Sequence, residues 1–441
     1  MRGMGEYNKR KTFIYYTSWE KNMGTTTHKN VIHEYLSTEI PALKSVAGDA
    51  LLNALLYEVK TTIGKVNKLQ TSDPKFFDTK KYKVLYNELD IVPVSIKKYF
   101  SYENYVQSFY TYGEYTICIN MYECRDAVPQ AQRTDMSNAF SKFLFWTLFS
   151  WLFFTNAVSE ASKASAMRGA HEAGLPKHII VHYFPTSLQK VLPEDQCSLL
   201  SFNEVNGGYS WKEGEGGARN ARDTGKVVIY REEEALKIII HEFIHLSDMD
   251  IHVNSNEALK KELRKQGVKF LNVEESQRPA ETYVELIAEI INVAVYTQGE
   301  RIRFYKYLDI ERKFSILQTA KLLDYCSYVD FTVFNEGKGS KKIPQRTNAV
   351  NYHITKAALF FSLGEVLEFF IRHANEAKEG GTFVEIMTYK KEYDTDYKEL
   401  VAKCLKNEEF REMINDSIKT LPKGDAKIMK TLRMSIVDGM A

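Results

Sequence analysis

His241-Glu242-Phe243-Ile244-His245 lies inside the run Ala235-Leu236-Lys237-Ile238-Ile239-Ile240, which continues to Leu246 and is otherwise almost wholly apolar. That combination constrains the fold more than any other feature of the chain. An apolar run of this length reads as a buried helix. A buried helix does not carry two imidazoles and a carboxylate unpartnered, because each unpaired polar group costs several kcal/mol. Residues four apart on a helix share a face, one turn above the other. His241 and His245 can therefore share one Zn²⁺ at about 2.0–2.1 Å each. Glu242 then lies beside the metal's open side, where a carboxylate can take a proton from water. The alternative is a pair of core histidines satisfied by backbone carbonyls.

The flanks agree with a metal site. Lys226-Val227-Val228-Ile229-Tyr230 reads as a buried strand of β-branched and aromatic residues. Arg231-Glu232-Glu233-Glu234 then opens the helix with acids near its positive end. A tetrahedral site needs a third protein ligand. A third His ten residues after His241 is excluded, since Ile251 stands there and Asp248 replaces the required glycine; His252 comes one residue late. A second helix does supply carboxylates: Ser276 can cap it, Pro279 suits its first turn, and Glu281, Glu285 and Glu289 form one stripe. We expect Glu281 as the third ligand and Glu285 as the group that holds a ligating His in its tautomer. The reverse assignment stays open. Glu289 is expected on a solvated face.

This order of strand, HExxH helix and downstream Glu resembles the gluzincin metallopeptidases. The chain is also similar to uncharacterised metallopeptidase-like proteins of large DNA viruses. That second similarity rests on residues 179–188, Leu192-Pro193, 205–210 and 228–234, the HExxH helix, Asp250, 281–285 and 352–357, roughly residues 178–360. The resemblance implies a zinc-dependent hydrolase fold and no particular substrate. It also makes Tyr352 and His353 candidates for the oxyanion donor that such a reaction needs.

Composition excludes several classes. The chain has 441 residues, 44% hydrophobic and 26% charged, ordinary for a globular protein. Its 59 basic and 57 acidic residues balance to +2, so no global field points to nucleic acid. The 27 Tyr and 25 Phe read as bulky core packing. Five Cys form no CxxC pair and read as reduced thiols of an intracellular protein, in the host cytoplasm or the virion if the chain is viral. No secretory signal is apparent. Residues 143–158 are uncharged but short for a membrane span, and read as a buried core helix rather than a membrane or docking segment.

These readings give an α+β fold, a mostly helical chain around a small zincin-like sheet. We expect a mainly helical, aromatic-rich region at 1–170, a catalytic core at 171–300 and a helical region at 301–441. Helices are expected at 41–69, 133–165 and 351–373, and strands at 115–122, 179–183, 205–211 and 226–230. Residues 205–211 are the candidate sheet edge for an extended substrate. The expected function is a zinc-dependent peptidase acting on a peptide or protein. The alternative is a virion structural or scaffolding protein that keeps the fold and binds other virion proteins. An enzyme requires Glu242 to border a solvent-reachable cleft; a structural descendant can fill that cleft.

Overall fold

Among the described residues, five strands form one mixed sheet, with two parallel and two antiparallel pairings. The structure, a computed structural model, describes residues 40, 45–70, 100–124, 133–165, 174–186, 188–212, 223–250, 253–269, 278–338, 342–375, 382–390, 393–421 and 427–437. His252 and the cap candidate Ser276 lie outside those residues. After helix α1 (Val46–Gln70), strands β1 (Phe100–Tyr112) and β2 (Tyr115–Cys124) make an antiparallel hairpin. Its turn holds Gly113 at φ 58°, a left-handed conformation that glycine adopts without a Cβ clash. Helix α2 (Arg133–Ser165) then carries the chain across to β3 (His178–Tyr183), which pairs parallel with β2. Strand β5 (Thr224–Ile229) pairs parallel with β3. Strand β4 (Gly208–Lys212) pairs antiparallel with β5 and lies at the sheet edge.

Side chains alternate across the sheet, as strand geometry requires. Ile117, Ile119, Val181, Tyr183, Val227 and Ile229 belong to the main hydrophobic cluster with the helices, while Tyr122, Phe184 and Val228 belong to a second cluster on the other face. Phe143 of α2 stacks on Tyr183 at 3.8 Å between ring centroids. Trp146, Phe149, Trp151, Leu152 and Phe154 of the same helix are buried, so the uncharged stretch is core. No helix among the described residues is long and apolar enough to cross a membrane. The main cluster runs from Ile40 to Val437 and takes in residues of all three expected regions.

The helices that build the site follow β5. They are α4 (Ala235–Leu246), α5 (Val253–Lys265), α6 (Ala280–Tyr296) and α7 (Arg301–Tyr325), preceded by a short α3 (Phe202–Val205). Every residue of α6 is buried. The fold is thus α+β, with the HExxH segment helical as expected.

Two expectations need correction. The strand expected from residue 205 starts only at Gly208, because Ser201 and Glu204 form a reciprocal capping box that winds 202–205 into α3. Cys197 and Cys326 are joined in a disulfide between the loop after β3 and the end of α7. Their separation of 129 residues leaves nothing local in the sequence to reveal the pair. Cys118 and Cys404 are free and buried.

Gly208 marks the close approach of β4 to α4. A Cβ there would lie 2.7 Å from Ile229 Cδ1 and 2.8 Å from both Ile238 Cγ2 and the Val228 carbonyl oxygen. Backbone cannot yield as a flexible side chain can. Gly208→Ala should therefore destabilise the chain by about 1–3 kcal/mol in urea unfolding. An unchanged midpoint would show that β4 is not held against α4.

Candidate metal centre

Helix α4 begins under constraint. Its N-cap residue, Glu234, has φ 59°, a left-handed conformation unfavourable for a residue with a Cβ. The Glu234 carboxylate is held by Lys190 Nζ at 2.7 Å and by the backbone N–H groups of Met434 at 2.8 Å and Ser435 at 2.6 Å. Such over-determination is what keeps a strained backbone in place. Burial opposes the charge of Glu234, but Lys190 and Lys237 more than compensate and pull it down to about 2.

From that cap, Lys237, His241 and His245 descend one face of α4 at successive turns. Helix α6 answers with Glu285 and Glu281. Lys237 Nζ donates to Glu285 Oε1, and His241 Nδ1 donates to Glu285 Oε2 at 3.0 Å. His241 Nε2 and His245 Nε2 lie 3.3 and 3.6 Å from Glu281 Oε2. Residue numbers rise along α4 as their partners fall along α6, so the two helices run antiparallel. Glu289, one turn further, is fully buried and accepts from Lys356 Nζ. The expected solvated Glu289 is thereby corrected: the apolar residues flanking it bury the whole stripe.

The donor set has the spacing of a metal site. The two Nε2 atoms are 3.2 Å apart, and each is 3.3 or 3.6 Å from Glu281 Oε2. Ligand bonds of about 2.0–2.1 Å in a tetrahedron put neighbouring donor atoms about 3.3–3.4 Å apart. The opposite ring nitrogens are already committed: His241 Nδ1 to Glu285, and His245 Nδ1 to Asp250 Oδ2 at 2.7 Å. A neutral imidazole that donates from Nδ1 presents a lone pair at Nε2. Two lone pairs and a carboxylate oxygen then converge with no proton between them. The buried group His241, His245 and Glu281 can hold a metal ion.

Protonation is the other way to satisfy that convergence. Burial opposes charge on His245, but Glu281 and the hydrogen bond to Asp250 overcome it and raise the imidazole well above its usual range. His241 is raised too: burial opposes it, and the hydrogen bonds to Glu281 and Glu285 prevail. Glu281 is held well below the usual carboxylate range, since both histidines outweigh its burial.

Glu242 lies on the same turn of α4 and is 5% exposed. Its Oε2 accepts from Ser210 Oγ of β4 at 2.7 Å. Burial raises its pKa, against the opposing pull of His241, His245 and Ser210. The expected solvent-reachable Glu242 is therefore not found, because the sheet edge lies over it. Solvent meets the site at His245 and Asp250, whose side chains are 24% and 25% exposed. Lys212, at the end of β4, pairs with Asp248 at 2.5 Å and ties the strand to the loop after α4.

Tyr352 and His353 occupy a π-helical turn, Asn351–Thr355. Tyr352 reaches the cluster, its hydroxyl donating to Glu281 Oε2 at 3.0 Å. Burial and the Glu281 charge keep that phenol protonated, with its pKa raised well above normal. His353 is buried among Lys356, Lys321, Lys190 and Glu234, and burial with those lysines holds it neutral. Successive residues of a helical turn point in different directions, so the turn that delivers Tyr352 aims its neighbour elsewhere. Sequence reading gave no role to Asp250, Ser210 and Lys237. Two of them had a signal in the sequence: Lys237 is the one charge in the apolar run before His241, and Asp250 stands five residues after His245.

No family model, curated protein or solved structure matches the chain.

Purified chain should bind about one divalent ion, and His241→Ala or His245→Ala should abolish this. Asp250→Asn should weaken it about 10–100-fold. Both histidines have raised pKa values in the metal-free site, so they hold their protons more tightly than free imidazoles do. Uptake must displace those protons, and affinity should rise with pH until the raised values are passed. Calorimetry in buffers of different ionisation enthalpy would detect the release. Proton-neutral binding would contradict this charge state.

Proposed function

We propose that the chain is a zinc-dependent peptidase. One observation carries the reading: two Nε2 atoms and a carboxylate oxygen converge at tetrahedral spacing, while Glu242, the carboxylate beside the first His, stays outside that set on Ser210. His241, His245 and Glu281 would hold Zn²⁺, which two nitrogens and one carboxylate oxygen suit. Bound there, the ion supplies Lewis acidity and brings the pKa of water towards about 7. Glu242 takes a proton from the attacking water and returns it to the leaving amine. Its raised pKa suits that two-way transfer. Tyr352, a neutral phenol whose one proton rests on Glu281, turns that proton to the oxyanion of the attacked carbonyl. Glu285 and Asp250 fix the ring orientations of the two histidines. Strand β4, at the edge of the sheet among the described residues, is the strand an extended peptide would join.

A second reading is favoured by the burial of Glu242 under Ser210. On it, the chain is a virion structural or scaffolding protein that retains the site for metal-stabilised folding. A peptide-library assay on the zinc-loaded chain separates the two. The peptidase reading expects chelator-sensitive cleavage. It further expects that Glu242→Gln keeps zinc and slows cleavage about 10²–10⁴-fold. A zinc-loaded chain that cleaves no peptide would overturn it in favour of the structural reading.

A further inference from the structure

Residues 431–437 are neither helix nor strand, yet Leu432, Met434, Ser435 and Val437 are buried. Their main chain is held largely by side chains of other elements. Lys321 donates to the Thr431 carbonyl, Gln318 to that of Arg433 at 2.5 Å, Lys356 to that of Met434 at 2.9 Å and Asn292 to that of Val437 at 3.0 Å. The N–H groups of Met434 and Ser435 both go to Glu234 Oε1, and those of Ile436 and Val437 go to Glu311. A groove that reads main-chain donors and acceptors in this way holds a peptide irrespective of most of its side chains. Here the peptide belongs to the same chain.

The groove is wired to the metal ligands. Glu234 Oε1, which accepts the two tail N–H groups, also lies 3.6 Å from Lys237 Nζ. Lys237 in turn donates to Glu285 Oε1, and the other oxygen of Glu285 holds His241 Nδ1 at 3.0 Å. Lys237 is therefore shared between two carboxylates. With two N–H donors on Glu234, that carboxylate is partly satisfied and Lys237 stays on Glu285. Without them, Glu234 keeps Lys190 on Oε2, but Oε1 loses two donors and draws Lys237 from 3.6 Å, so Glu285 loses the cation that fixes it against His241.

We propose that residues 431–437 act as a tethered peptide whose seating on Glu234 sets the metal affinity of His241, His245 and Glu281, with Lys237 and Glu285 as positioning residues. The proposal rests on the metal reading of that cluster. It makes the site's affinity responsive to anything that displaces the tail from its groove.

The test is zinc affinity of the full chain, measured by competition with a chromophoric chelator. Ser435→Pro removes one N–H donated to Glu234; Ser435→Ala keeps it and loses only the hydroxyl contacts to Glu311 at 2.6 Å and to the Val437 carbonyl at 3.1 Å. We expect Ser435→Pro to weaken zinc binding about 10–100-fold and Ser435→Ala to bind nearly as wild type. In a Lys237→Met background, Ser435→Pro should have no further effect, because the link is already cut. A merely structural tail would give additive losses there. Should Ser435→Pro fail to fold, Glu311→Gln loosens the seat at 435–437 without touching Glu234 and should weaken zinc in the same direction. Folded variants with wild-type affinity, or an undiminished Ser435→Pro effect in the Lys237→Met background, would overturn the proposal alone. A wild-type chain that takes up no zinc would overturn both it and the metal reading.

Discussion

Charge compensation between two buried helices governs this structure. Helix α6 carries Glu281, Glu285 and Glu289 at successive turns, all buried, and a buried carboxylate without a counter-charge is strongly destabilising. Glu285 is answered by Lys237 with the Nδ1 proton of His241, whereas Glu289 accepts from Lys356 while burial still raises its pKa well above the usual carboxylate range. Glu281 differs in its partners, held well below that range by two histidines. Its neighbours are two imidazoles whose other nitrogens are engaged, and the hydroxyl of Tyr352. It is balanced only if the histidines are protonated or a cation joins them. The site's capacity for metal is thus the last step of the same accounting that seats the helices.

The surrounding architecture serves that pairing. The sheet backs α4 through Val227 and Ile229, and β4 crosses close enough to need glycine at 208. Ser210 of that strand holds Glu242, and Lys212 secures the loop that carries Asp250. At the opposite end of α4, Glu234 accepts the strained cap conformation because Lys190 and the tail hold it on several sides. Both ends of the motif helix are therefore fixed by segments distant in sequence.

What the sequence made legible follows from range. The buried helix of 235–246, the long α2 and the strands around residues 117, 181 and 228 depend on local periodicity, and periodicity shows in a single sequence. The convergence of His241, His245 and Glu281 was legible because two of the three share a helix face and the third lies on an acidic stripe with apolar flanks. Strand β1 was not assigned, since its tyrosines and polar residues give no clean alternation. The burial of Glu289 depends on Lys356, 67 residues away, and the disulfide on a partner 129 residues away. Glu242's exposure depends on how closely an edge strand settles, which no spacing encodes. His353 was carried along by its neighbour Tyr352, and only the three-dimensional turn separates them.

Anomalous diffraction from crystals of the zinc-loaded chain, collected on both sides of the zinc absorption edge, tests the central claim most directly. The account predicts one edge-dependent peak, about 2.0–2.2 Å from His241 Nε2, His245 Nε2 and a Glu281 oxygen, with Glu242 outside bonding distance. It also predicts Glu285 and Asp250 still on the Nδ1 atoms. No peak at that point, with the two imidazoles instead protonated against Glu281, would contradict it.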